Sequence, residues 1–141
     1  MTPVRYIIDT SALVRILRNP DVRGRWQSQI TSGLVAVSPI TELEFLYSAQ
    51  SKSDREQLLD LLSATFAWVG LPDRAMSRAA EVQVAMTAQG THRSAGVVDL
   101  LVAATAELNG LSVLHYDHDF DVIAEATDQP TVWVAPAGSI A

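Results

Sequence analysis

Residues 4–11, VRYIIDTS, decide how this chain folds. Val4, Tyr6, Ile7 and Ile8 are β-branched or aromatic, the residue types of a buried strand. Such a strand should close on a turn residue. It closes instead on Asp9, Thr10 and Ser11, and the amphipathic helical pattern ALVRIL (12–17) begins at once. A buried strand running directly into a helix opens an α/β unit, and the carboxylate at the junction needs a reason to be there.

Working outward, the same unit recurs. LVAVS (34–38), AWVGL (67–71), LSVLHY (111–116) and PTVWVA (130–135) are short apolar runs that read as strands. Between them lie helical patterns. GRWQSQITSG (24–33) suggests a second helix after the stop at Asn19-Pro20, and Ser38-Pro39 opens ITELEFLYSAQ with a cap and a first-turn proline. SDREQLLDLLSATF (53–66) starts with Ser53 as the expected cap and Glu56 at capping-box spacing. Pro72-Asp73 opens a long helix closed by Gly90, VVDLLVAATAELNG (97–110) is closed by Asn109-Gly110, and DHDFDVIAEAT (117–127) is a short last helix. Strands alternating with helices predict an α/β sandwich around a mostly parallel sheet. No linker, repeat or low-complexity stretch interrupts residues 1–141, so a single domain is expected.

Composition narrows the chemistry. The 141 residues contain no cysteine, which excludes disulfides, thiolate catalysis and Cys-ligated zinc. No signal-peptide pattern or membrane-length apolar run is present, so a cytoplasmic protein without a membrane partner is expected. A net charge of −6 argues against diffuse nucleic-acid binding, unless acids cluster around cations. Nine of the ten basic residues are Arg and only Lys52 is lysine. Arg grips carboxylate or phosphate through two parallel hydrogen bonds.

The acids form a constellation. Asp9 and Asp117 both follow strands, where ligand sites of parallel sheets gather. Each also has a plainer use, as a helix cap or turn residue. Asp99 sits in GVVDLLVAATA (96–106), with Val102, Ala103 and Ala106 as its helical neighbours and no Lys or Arg within a turn. An unpaired carboxylate in such surroundings costs on the order of several kcal/mol, so it needs a distant Arg or a cation. One of Glu42 and Glu44 would join these three. Carboxylates converging without lysine repel one another unless divalent cations intervene. All-oxygen donors favour Mg²⁺ or Mn²⁺ over zinc. A carboxylate-held metal at a sheet edge suits attack of water on a phosphodiester. His92, His115 and His118 have no ligand spacing, and none is assigned to metal.

IIDTSAL (7–13), ITELEFLYSA (40–49), VVDLLVAATA (97–106) and LHYDHDFDVIA (114–124) resemble the four acidic motifs of PIN domains, above all of the VapC toxins of bacterial VapBC toxin–antitoxin modules. The resemblance runs from Val4 to about Pro136. It implies a three-layer α/β/α sandwich and Mg²⁺- or Mn²⁺-dependent endoribonuclease activity. It also implies inhibition by a cognate VapB antitoxin, an RNA substrate and a homodimer. Carried over position by position, it makes Asp9, Glu44, Asp99 and Asp117 the catalytic, metal-binding acids. Asp119 becomes an auxiliary ligand, and Ser11 orients Asp9 or a water. Arg15, Arg18 and Arg93 are then the candidates for holding RNA.

Helix geometry bears on the choice between the two glutamates. With Ile40, Leu43 and Tyr47 taken as the apolar stripe, Glu44 lies roughly 80° and Glu42 roughly 120° from its centre at 100° per residue. Rival α/β enzymes fit less well. A response-regulator receiver needs a late lysine, and a haloacid-dehalogenase-type phosphatase needs a second acid where DTS has none. The alternative from another class is a catalytically inactive PIN-like module that binds a partner or RNA.

Overall fold

A computed structural model describes residues 3–141. Five strands form one sheet: β1 (Tyr6–Ile8), β2 (Val35–Val37), β3 (Ala67–Trp68), β4 (Ser112–His115) and β5 (Thr131–Trp133). Seven α-helices connect them: α1 (Thr10–Arg18), α2 (Pro20–Thr31), α3 (Pro39–Leu46), α4 (Lys52–Thr65), α5 (Ala75–Ala88), α6 (Val97–Leu108) and α7 (Asp119–Thr127). A 3₁₀ turn, His92–Ser94, precedes α6. Every strand pair is parallel, and the order across the sheet is β3-β2-β1-β4-β5.

The pleat of the sheet divides the core. Ile7 lies beside Ala36 and Val113 in register, and these three join a cluster with residues of α5, α6 and α7. Ile8, Val35, Val37 and Leu114 point to the opposite face and pack against α1, α2 and α4. The expected three layers are therefore present, with apolar side chains on both faces of short central strands.

Several boundaries differ from the sequence-based expectation. α2 begins at Pro20, because the Asn19 side chain accepts from the backbone N–H groups of Asp21 and Val22 at 3.0 and 3.2 Å. Asn19 thus ends one helix and caps the next. The cap of α4 is Ser51 in place of Ser53: its hydroxyl accepts from Asp54 N at 3.0 Å, and Asp54 accepts from Gln50 N at 2.9 Å. α5 starts at Ala75, after a turn in which Ala75 N donates to the Pro72 carbonyl at 3.0 Å. Gly90 and Gly110 close α5 and α6 as expected, with φ of 73° and 67°, the left-handed region where a side chain is strained.

The expected apolar stripe on α3 is overturned. Leu43 and Tyr47 are 63% and 92% exposed, while Thr41 and Leu46 are the buried residues. A threonine takes the inward position because its hydroxyl finds a partner: Oγ1 donates to the Ile8 carbonyl at 3.1 Å. That bond pins α3 to the end of β1.

Candidate metal centre

The chain enters the sheet at its centre. From β1 it runs through α1 and α2 on one face to β2, whereas β4 reaches β5 through α7 on the other face. Direction reverses between β1 and β4. At such a switch point the flanking connections part, leaving a crevice beyond the carboxyl ends of the strands. Asp9 follows β1 by one residue and Asp117 follows β4 by two.

Asp9 is 3% exposed. Its two oxygens do different things. Oδ2 accepts from Ser11 Oγ at 2.7 Å and from Ser11 N at 3.1 Å, capping α1. Oδ1 is buried and has no hydrogen-bond partner. Ser11 Oγ in turn accepts from Tyr116 N at 2.9 Å, which ties the β1 exit to the β4 exit. Burial pushes the Asp9 carboxyl above its ordinary pKa; Ser11 opposes the shift and the Glu44 charge adds to it.

Asp99 occupies the first turn of α6 and receives a long hydrogen bond from Gly96 N, at 3.4 Å. Its pKa is pushed up to about 7, first by burial and then by the charges of Asp9, Asp117 and Asp119. Oxygens of Asp99, Asp117 and Asp119 lie within 4.8 Å of one another. Asp119, expected only as an auxiliary, is thus in the tightest group, and its pKa is raised by burial and by Asp117. Among the described residues, none of these acids is paired with a cationic side chain; the ion pairs found are Arg78–Glu81, Arg78–Glu107 and His118–Asp121. The distant Arg that could have explained Asp99 is not there.

Glu44 is exposed, yet its charge reaches Asp9. Thr41 bonds to the end of β1, and Glu44 stands one turn further along the same side of α3. Glu42 turns away and lines a hollow with Val37, Leu62, Phe66 and Trp68. The choice of Glu44 therefore rests on Thr41 and not on the stripe. Arg15 donates to the Ser11 carbonyl at 3.1 Å and lies 4.8 Å from the centroid of the Tyr116 ring. Arg15 and Arg18 line a cavity of about 380 Å³. Arg93 is exposed in the 3₁₀ turn leading to α6.

The arrangement fits a hard divalent cation: clustered carboxylate oxygens, an orphaned buried Asp9 Oδ1 and no cationic side chain bonded to any of them. The model of the PIN domain matches residues 6–126. Ribonuclease VapC21 of Mycobacterium tuberculosis (strain CDC 1551 / Oshkosh) is 42% identical over 135 residues, covering 96% of this chain and 97% of that protein. The chain belongs to the VapC ribonucleases of the PIN domain family. A second VapC relative, Ribonuclease VapC2 of the same strain, is 43% identical over 136 residues, covering 93% of each chain. Two solved structures share the PIN fold at 18% identity. DNA-bound VapBC from Salmonella typhimurium has a TM-score of 0.74, covering 94% of this chain and 99% of that one. VapBC-1 from nontypeable Haemophilus influenzae has a TM-score of 0.76, covering 94% and 98%.

His115, which has no ligand spacing in the sequence, touches this PIN-domain centre through Asp117. It is fully buried, and its Nδ1 accepts from Asp117 N at 3.1 Å. Burial holds its pKa below the ordinary value. A histidine two residues before an acid at a strand end is the only sequence signal for such a contact.

Proposed function

We propose that this protein is a metal-dependent endoribonuclease toxin, working as one domain in the cytoplasm and restrained by a VapB-type antitoxin. The observation that carries this reading is the set of carboxylates at the β1/β4 crevice without a cationic partner, with Asp9 Oδ1 buried and unbonded. Membership of the VapC ribonucleases supports the RNA substrate, and the VapBC structures support the antitoxin. No helix among the described residues is long and apolar enough to cross a membrane.

Asp9, Asp99, Asp117, Asp119 and Glu44 would hold Mg²⁺ or Mn²⁺. Bound there, the ion would supply an acidified water and draw charge from the scissile phosphate. The chain's own residues prepare the place. Ser11 holds Asp9 Oδ2 and so aims Oδ1 into the crevice. Asp99, pushed up to about 7 by burial and by its neighbouring carboxylates, is partly protonated near neutral pH and would give up that proton when a cation binds. Arg15, Arg18 and Arg93 stand ready for phosphates flanking the cleaved bond. Exposed Met76, Val84 and Val97 on α5 and α6 offer a second copy an apolar face, which supports a homodimer.

The test is cleavage of a mixed cellular RNA pool by purified protein with Mg²⁺ or Mn²⁺, followed by sequencing of the new ends. Discrete cuts that stop on EDTA are expected. Mn²⁺ binding without any cleavage would make the protein an inactive binding module, and undiminished cleavage in EDTA would overturn the metal chemistry.

A further inference from the structure

Among the described residues, His115 is the one buried titratable side chain beside the crevice that the proposed chemistry leaves without a task. It sits at the last position of β4, fully buried, with the rings of Phe120 and Trp133 at centroid distances of 5.1 and 4.9 Å. Those rings fix the plane of the imidazole. In that plane Nδ1 faces the Asp117 N–H at 3.1 Å, so Nδ1 must be the unprotonated acceptor. The ring proton then belongs on Nε2, which is buried without a partner. The opposite tautomer would set two donors against each other. The fold thus tolerates an unsatisfied Nε2–H in order to keep an acceptor under Asp117, and an orphaned buried polar atom of this kind calls for an explanation.

Its neighbours supply one. The chain between β4 and α7 has three of its backbone N–H groups held by side chains. Tyr116 N donates to Ser11 Oγ at 2.9 Å, Asp117 N to His115 Nδ1, and Asp119 N to Asp117 Oδ1 at 2.9 Å. The first ties this turn to Asp9, and the third ties the two acids of the turn together. The second alone anchors Asp117 itself to the sheet. The remaining bonds of Asp117, from Phe120 N to its carbonyl at 3.2 Å and from Asp119 N to its Oδ1, tie it only to the start of α7, so without His115 the residue and its carboxylate can shift with that helix relative to the sheet.

We propose that His115 is a positioning residue: through Nδ1 it fixes the backbone of Asp117 and thereby aims that carboxylate into the metal centre. This rests on the metal-dependent reading given above. Groups that orient ligands from behind typically change metal affinity by 10–100-fold when removed.

The experiment separates this role from packing with two variants of opposite character. His115→Phe keeps the ring and its contacts but has no acceptor. His115→Asn loses the ring but places an amide oxygen where Nδ1 was. Mn²⁺ is titrated into metal-free protein, and each variant is melted without metal. Phe should weaken Mn²⁺ binding about tenfold or more while melting close to wild type. Asn should melt lower yet bind Mn²⁺ within about threefold of wild type, since it restores the acceptor. Affinity that simply follows melting temperature across the pair would overturn the proposal. Should either variant fail to fold, imidazole ¹⁵N shifts of the wild-type protein decide: an unprotonated Nδ1 coupled to the Asp117 amide is expected, and a protonated Nδ1 overturns it. Wild-type protein that binds no Mn²⁺ would overturn the metal reading and this one together, a result evident before any variant is compared.

Discussion

Asp9 carries two tasks on one carboxylate. Oδ2 caps α1 through Ser11, and Oδ1 is left buried and unbonded. The cap and the site are therefore separable by a substitution that keeps one oxygen. Asn caps helices about as well as Asp. Asp9→Asn should fold, melt no lower than wild type without metal, and lose RNA cleavage about 100-fold or more, the scale on which a displaced active-site group acts. Wild-type cleavage by this variant would leave Asp9 as a cap alone. The contrast between Asp9 and His115 shows what a sequence discloses at this scale. An acid at the end of an apolar strand conflicts with its surroundings, and that conflict is visible in the letters alone. A histidine inside a strand conflicts with nothing until the direction of Nδ1 is known. Ring orientation is set by Phe120 and Trp133, residues 5 and 18 positions away, and no local pattern encodes it.

Elements were legible where backbone chemistry is local, and less so where a side chain's partner is remote. The run of apolar residues in α6 and its glycine stop needed no tertiary information. α4 shows a near miss: Ser51 and Ser53 both precede an acid at the right spacing, and only the geometry of Gln50–Asp54 selects Ser51. Ser51→Ala should lower stability by about 1 kcal/mol in denaturant melts, and Ser53→Ala by a few tenths at most. Equal losses would mean that Ser51 does not cap the helix. α3 is the larger departure. Counting hydrophobic letters made Leu43 and Tyr47 inward, whereas a hydroxyl bonded to the Ile8 carbonyl makes Thr41 inward. The rotation puts Glu44 over Asp9 and Glu42 against α4. Glu44→Gln should therefore weaken Mn²⁺ binding and cleavage about tenfold or more, the effect of disturbing a metal's carboxylate set. Glu42→Gln should leave both within about twofold. Side-by-side Mn²⁺ titrations check it, and a silent Glu44→Gln would remove that residue from the centre.

At the scale of the whole molecule, sheet order converts distant sequence into one site. Residues 9, 99 and 117 meet because β1 and β4 are neighbours at the point where the winding reverses. Alternating elements foretold a parallel sheet, but strand order depends on which helices cover which face, a sum over the entire core. The same convergence makes the metal-free fold sensitive to pH. The Asp99 pKa of about 7 lies above its unfolded value of about 3.9. Between these limits the folded protein holds a proton that the unfolded chain has released, so stability must fall as pH rises through the window. Asp9 and Asp119 are shifted in the same direction. His115, lowered by burial, acts oppositely: it removes stability as pH drops below the ordinary histidine range. Comparing wild type with Asp99→Asn cancels the histidine and isolates the acid. In EDTA the two should melt together near pH 3.5, below the unfolded pKa, with the variant the more stable by roughly 5 °C at pH 7.5, a gap of about 1–2 kcal/mol after allowance for solvent screening. Excess Mn²⁺ should reverse the order, because only the wild type keeps the full carboxylate set and gains the stabilisation of a bound ligand. An Asp99→Asn protein less stable than wild type across the whole range in EDTA would mean that the carboxylate is stabilising in itself, and the crevice would have no need of a cation.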